Sequence, residues 1–259
     1  MGSSAIGAPV CVHGGNIRRM KVLPLYGSRG RVTRPVAGTV GVLLLMLLAG
    51  PAWSDCGDAP APGVDWTGCE KHRLILRKAD LRGAKVAGTD FSGSDLQGAN
   101  LNGADLSRAS MDRVRLSEAD LSGARLTQLS AFRTNLTQAR LVRADLTKAE
   151  MGRSNFTGAD LSGANLAKAE IQRSNLQSAN LSGSDLSGAD LARVNLAGAR
   201  VAGARFHQTR LYLTRIEGLD LSGALGLTQA QLDSACGNAR TVLPKGLKTA
   251  AAWPCPKDE

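Results

Sequence analysis

The chain has 259 residues and a formal net charge of +10, with a sequence pI near 9.8. Six of its 32 basic residues and none of its 22 acidic ones fall in the first 54 positions, leaving 26 against 22, a net of +4, for the rest. So mild an excess excludes nucleic-acid recognition by bulk charge.

The first 54 residues read as an export signal. Arg18, Arg19, Lys21, Arg29, Arg31 and Arg34 precede an apolar run from Val36 to Ala49, and Ala52-Trp53-Ser54 follows. A basic start, a short apolar stretch and small residues at −3 and −1 describe a secretory leader cut after Ser54. The run of about 14 residues is shorter than the ~20 that a bilayer-spanning helix needs. An uncleaved anchor is the alternative. Met20 is a second candidate start. Arg18-Arg19 is a weak twin-arginine match, because the apolar run begins far downstream. The residues before Cys56 do not resemble a lipoprotein box. The expected location is the periplasm or the cell exterior.

From Leu76 to Leu221 every fifth residue is apolar, through thirty successive positions. A helix turns a side chain by about 140° in five residues. A strand sends the fifth residue to the opposite face. A short extended piece with a turn in every unit satisfies the period, and a fixed period of this kind marks a solenoid. Two residues before each centre the side chain is small, with seventeen Ala, four Ser and four Thr among the thirty. That predicts a second, tight inward slot. The residue just before the centre is Asp or Asn seventeen times, types that bond neighbouring backbone groups. Gly83, Gly88, Gly93, Gly98 and Gly103 stand two after their centres, where a tight turn can need positive φ. Ala131 is the one small centre and has Leu129 in its small slot. Leu129 is therefore expected to fill the volume that Ala131 leaves.

Units such as Ala79-Asp80-Leu81, Ala99-Asn100-Leu101-Asn102-Gly103, Ala159-Asp160-Leu161-Ser162-Gly163 and Ala164-Asn165-Leu166 resemble the A(D/N)LXX motif of the pentapeptide-repeat family. The resemblance extends over about 150 residues. It implies an all-β solenoid, a right-handed quadrilateral β-helix with four pentads per coil. Thirty pentads at four per coil make about 7.5 coils. The expected organisation is a leader over 1–54, an N-terminal disulfide cap over 55–73, the repeat helix over 74–225, and a C-terminal helix and disulfide cap over 226–259. Arginine recurs at 113, 133, 153, 173 and 193, the twenty-residue step that one edge of a four-sided coil would produce.

Cys11 falls in the leader, and Cys56, Cys69, Cys236 and Cys255 remain. Four cysteines allow three pairings. Coils stacked at about 4.8 Å put the ends of such a rod roughly 35 Å apart, and a disulfide needs Cα atoms within about 7 Å. The expected pairs are Cys56–Cys69 and Cys236–Cys255, one at each end, in an oxidising compartment. Free buried thiols are the alternative. A solenoid also needs caps over its terminal apolar faces. The N-terminal cap reads as a Pro-rich loop from Asp55 to Arg73 that holds Trp66. Thr228-Gln229-Ala230-Gln231 reads as a capping box. It would open a short helix to about Cys236, with Gly237 as the stop and Trp253 as a plug in the tail.

No catalytic, metal or cofactor site is legible. His72 and His207 are isolated, Ser92, Ser122, Ser162, Ser182 and Ser222 are repeat positions, and the glycines keep the five-residue clock. A regular rod also lacks the concave pocket that small ligands prefer. The expected function is that of an exported, non-catalytic structural or interaction module presenting flat faces to a macromolecule. The candidate strip is Arg113, Arg133, Arg153, Arg173 and Arg193, with Phe132 and Tyr212 beside it. It suits an anionic partner: an acidic protein, a glycan or lipid headgroups. Glu150, Glu170 and Asp190 fall on the same face, so a neutralised, solvated surface is the alternative. Some relatives in the family protect gyrase by imitating DNA with a strongly acidic surface. The arginine column and the leader set this chain apart from them. The resemblance also makes a homodimer through the C-terminal end a candidate, since some members dimerise there.

Overall fold

The computed structural model describes residues 56–251 and 253–255. The expected leader over 1–54, its cleavage site, and residues 256–259 lie outside the described residues. Short extended pieces alternate with turns, and up to the C-terminal cap parallel bridges join a bridging residue to one twenty positions on. Asp80 pairs with Asn100, Asn100 with Asp120, and Asp120 with Arg140. Twenty residues are four pentads, so the coil has four sides. Centres twenty apart stack into columns: Leu96, Leu116, Leu136 and Phe156 lie in one column and are all buried. The small residues two before the centres, such as Ala99, Ala119 and Ala139, are buried with them.

The five N–H groups of one pentad explain the motif. Leu81 N–H donates to Asn100 O (2.7 Å) and Gly83 N–H to Asn102 O (2.9 Å), both one coil on. Ala84 N–H closes the turn onto Leu81 O (3.1 Å), and Lys85 N–H reaches back to Val64 O (2.8 Å). The N–H just after the centre takes its acceptor from a side chain: Arg82 N–H donates to Asp80 Oδ1 at 3.3 Å. The same bond recurs from Ser122 to Asp120 and from Ser187 to Asp185, each at 2.9 Å. Asp or Asn before the centre thus supplies the fifth acceptor, and main-chain donors left unpaired away from water are costly. Phe132 follows Ser130, which lacks that acceptor, and its N–H uses Asp112 Oδ1 of the preceding coil instead (2.9 Å).

The residue two after the centre has positive φ whether or not it is glycine: Gly103 at 65°, Glu118 at 61°, Arg113 at 56° and Arg153 at 58°. The backbone imposes this on every side chain at that position. Glycine is frequent there because L-residues incur roughly 1–2 kcal/mol in that region.

The N-terminal boundary differs from the expected one. Asp65 pairs with Lys85 and Glu70 with Asp90, so the ladder begins before residue 74. Trp66 and Lys71 occupy centre positions, and the segment is not a loop. The apolar count stops at Leu76 because a lysine fills the slot before it. Trp66 is 1% exposed and tilts against Phe91, with ring centroids 6.3 Å apart. Its indole N–H donates to Asp58 O (3.2 Å). Lys71 is only 8% exposed. Its Nζ lies 4.0 Å from the Trp66 ring centroid and donates to Cys56 O at 2.6 Å. The stem is buried and the charge sits over an aromatic face at the rod's end. Cys56 is joined to Cys69, with Cα atoms 5.6 Å apart. Ile75, at an outward bridging position of this first coil, is 81% exposed while the neighbouring centre Leu76 is buried.

At the other end Thr228 caps α1, Gln229–Ser234, and the reciprocal bonds of a capping box with Gln231 are present. Gln231 Nε2 also donates to Phe206 O and Thr209 O, each at 2.8 Å, which seats the helix on the preceding coil. Leu232 is its buried residue. The helix stops earlier than expected. Ala235 is the C-cap, and Cys236 rejoins the ladder opposite Arg215. Gly237 has a different role from a stop signal. A Cβ there would lie 2.5 Å from the Trp253 ring, so the glycine makes room for that indole. The Trp253 indole N–H donates to Ala235 O (2.7 Å), and Cys236 is joined to Cys255 with Cα atoms 5.2 Å apart.

Candidate macromolecular docking surface

Arg113, Arg133, Arg153, Arg173 and Arg193 occupy the same turn position in five successive coils, and all are exposed. Neighbouring rungs are about 4.8 Å apart along the axis. The corner is braced from inside. Thr134 N–H donates to Ser154 Oγ and Ser154 N–H to Ser174 Oγ, each at 3.0 Å. Those hydroxyls in turn donate to carbonyls one coil back: Thr134 Oγ1 to Met111 O (2.6 Å), Ser154 Oγ to Ala131 O (2.8 Å) and Ser174 Oγ to Met151 O (3.0 Å). This buried chain of small hydroxyl residues passes beneath the turns that carry Arg133 and Arg153.

Among the described residues none of the five arginines forms an ion pair. Of the acids expected to neutralise them, Glu150 is exposed and forms no ion pair among the described residues, and Glu170 accepts from Gln172 Nε2 at 3.5 Å. Asp190 pairs with Arg210 (3.2 Å) and accepts from Gln172 Nε2 (3.1 Å). Asp112, on the flank of Arg113, has its Oδ1 taken by Phe132 N–H and by the Ser130 hydroxyl (3.2 Å). Phe132 is 38% exposed, with the guanidinium carbons of Arg133 and Arg153 at 5.3 and 5.6 Å from its ring centroid. Gly152 lies under the ring; a Cβ there would meet Phe132 Cδ2 at 3.7 Å. Phe132 is therefore part of the strip. Tyr212 stands one coil beyond the last rung, where the Arg193 N–H donates to its carbonyl oxygen (2.8 Å), and the guanidinium carbon of Arg210 lies 5.9 Å from its ring centroid.

The same column continues through Gly93 to Arg73, which the sequence reading missed. Stepping back by twenty from Arg113 would have found it. Arg73, Ser92, Gly93, Asp112, Arg113 and Phe132 line an open groove of about 320 Å³ at this end of the strip. On the next face Asp95 is held between Arg77 (2.5 Å) and Arg115 (3.1 Å). Burial pushes its carboxyl up, but the bonds from Arg77 and Gln97 N–H and the charge of Arg115 outweigh this and hold it below the usual carboxylate range. Among the described residues no group of three or more His, Cys, Asp or Glu is placed to hold a metal ion. No helix among them is long and apolar enough to cross a membrane.

Pentapeptide repeats match in eight copies, over residues 75–111, 89–128, 132–163, 154–192 and 189–225, more than half of the chain. The chain belongs to the pentapeptide repeat family. Among solved structures, full-length QnrB1, a plasmid-mediated fluoroquinolone resistance protein, aligns at a TM-score of 0.55 and 20% identity, over 69% of this chain and 91% of its own. That likeness shows the fold, a right-handed quadrilateral β-helix. HetL of Nostoc sp. strain PCC 7120, a pentapeptide repeat protein involved in heterocyst differentiation regulation, is 27% identical over 74% of this chain and 94% of its own, at a TM-score of 0.34. A pentapeptide repeat protein of the Arabidopsis thaliana thylakoid lumen is 29% identical over 46% of this chain and 77% of its own, at 0.35. The chain has no match among curated proteins.

In this family's pentad the interior is filled by side chains, so a docking surface lies on the outer positions. One consequence is that the strip carries backbone strain. Arg173 and Arg193 both sit at φ 59°. Replacing both with glycine should raise stability by about 0.5–1 kcal/mol per site, the left-handed cost less glycine's greater entropy loss. A denaturant melt reads this directly, and a fall in stability would show that the arginine side chains contribute more than the turn strain costs.

Proposed function

We propose that this chain is an exported, non-catalytic interaction rod, about eight pentad coils long when counted from the Trp66 centre and capped at both ends, whose arginine corner docks an anionic macromolecule. The observation that carries this is the column Arg113–Arg193: five exposed guanidinium groups in line, without ion pairs among the described residues, although acids stand on the adjoining face. Clustered charge of one sign on a rigid scaffold raises the local concentration of an opposite partner and steers its approach. Arginine is also the side chain suited to forked bonds with carboxylate or phosphate. Export is supported by the leader pattern in 1–54 and by a disulfide at each end, since disulfides persist in oxidising compartments. A non-catalytic role is supported by the filled interior, by four cysteines engaged in disulfides, and by the family's general use as structural or interaction modules. A DNA-mimicking inhibitor would need an acidic outer row, and this edge carries arginine.

The test is retention of the chain from Asp55 onward on an anionic resin at low and moderate salt. The triple variant Arg113→Glu, Arg153→Glu, Arg193→Glu should lose retention entirely while keeping its melting temperature within a few degrees, because all three side chains are exposed. Equal retention of variant and wild type would remove the docking role of this corner.

A further inference from the structure

The face beside the arginine corner has a chemistry of its own. In successive coils its bridging row is Arg115, Asn135, Asn155, Asn175, Asn195 and Arg215. Each asparagine has its carbonyl oxygen occupied by the N–H two residues on: Thr137, Thr157 and Gln177 at 3.1 Å, and Ala197 at 3.0 Å. What these side chains then offer outward is the amide NH₂. Asn175 Nδ2 bonds Thr157 Oγ1 (3.0 Å), whereas those of Asn135, Asn155 and Asn195 have no partner among the described residues. Together, a column of guanidinium groups and a parallel row of amide nitrogens make a surface rich in donors. The acids near it are Glu150, Glu170 and Asp190 in the row on the other side of the corner, Asp112 at the flank of Arg113, Glu118 at the far corner and Glu217 at the end. Asp112 is engaged as described, and Arg215 Nε lies 3.3 Å from Glu217 Oε1.

Resting on the docking role proposed above, we propose that this corner and face together bind an acidic polysaccharide laid along the rod axis. The arginines would take its carboxylates and the asparagine amides its hydroxyl and ring oxygens. The Phe132 ring would stack on a sugar face. Spacing favours this partner over other linear anions. The rungs repeat at about 4.8 Å, while an extended acidic peptide repeats on one side at about 6.6 Å and a DNA strand at about 3.4 Å. A pyranose ring advances its chain by about one strand spacing. A duplex or a membrane would reward dense positive charge, whereas half of this surface is uncharged amide.

The experiment measures binding of the full chain to an end-labelled polygalacturonate oligomer by fluorescence anisotropy. Its methyl ester, duplex DNA and phosphatidylglycerol vesicles are compared. One variant is Asn135→Ser, Asn155→Ser, Asn195→Ser, which keeps the net charge and uses the residue found at this pentad position in Ser110 and Ser130. The other is Arg133→Gln, Arg153→Gln, Arg173→Gln, and glutamine is accommodated at the same positive φ at Gln128 and Gln138. We expect polygalacturonate to be bound more tightly than its ester, DNA or vesicles. The serine variant should weaken it about tenfold through lost hydrogen bonds, and the glutamine variant should abolish it. If the serine variant binds as wild type, or DNA or vesicles bind more tightly, while the glutamine variant still loses binding, the polysaccharide inference fails and the arginine corner stands. If no anion binds, or the glutamine variant binds undiminished, both fail.

Discussion

Trp66→Ala should cost about 3–5 kcal/mol, and the damage should stay at one end of the rod. Trp66 heads a column of centres, lies against Phe91, and has the Lys71 ammonium over its ring. Without the indole, Lys71 loses the face that receives its charge, and Phe91 loses its neighbour at the open end. Each coil of a solenoid contacts only the coils next to it, so a terminal defect appears as local opening. Hydrogen exchange separates the two outcomes. The amide of Lys85, which donates to Val64 O at 2.8 Å, should lose protection. The amide of Leu161, which donates to Asn180 O at 2.7 Å several coils away, should keep it. Equal loss at both would mean that the coils unfold as one unit.

Leu129→Ala should cost about 2–5 kcal/mol and, unlike the end variant, weaken the middle of the rod. Leu129 and Ala131 are both fully buried. In its column Leu129 lies between Ala109 and Ala149, and Ala131 lies between Met111 and Met151. A large residue in the small slot and a small one at the centre exchange volumes within one pentad, and the flexible methionines above and below fill what is left. Truncation would leave two adjacent alanines with no large side chain between them. The double variant Leu129→Ala, Ala131→Leu should recover much of the loss, because neighbouring core sites couple. A denaturant melt in which the single variant matches wild type, or the double variant is no better than the single, would refute the exchange.

The architecture was legible because every pentad repeats one local solution. Leu81 and Leu101 lie in one column because they are centres four five-residue steps apart, and Asp80 recurs as Asn100 and Asp120 because each turn leaves one N–H in need of a side-chain acceptor. The first coil was hidden because Lys71 stands where a leucine would have extended the count, and its place over Trp66 with its bond to Cys56 O makes a buried lysine tolerable. Gly237 misled for a similar reason. Glycine after a helix normally marks a left-handed cap, and here it clears space for an indole sixteen residues on.

Residue types at a five-step spacing determined the winding, the inward slots, the columns and the members of the arginine edge. Charge pairing was settled only in three dimensions, where side chains twenty residues apart lie one coil apart. There Asp190 reaches Arg210 in its own row, and Arg193 on the adjoining corner has no ion pair among the described residues. The backbone pattern is set by contacts each pentad makes in the same way, so the sequence spells it out. The surface depends on which of several similar neighbours a flexible side chain meets, and no spacing rule ranks them.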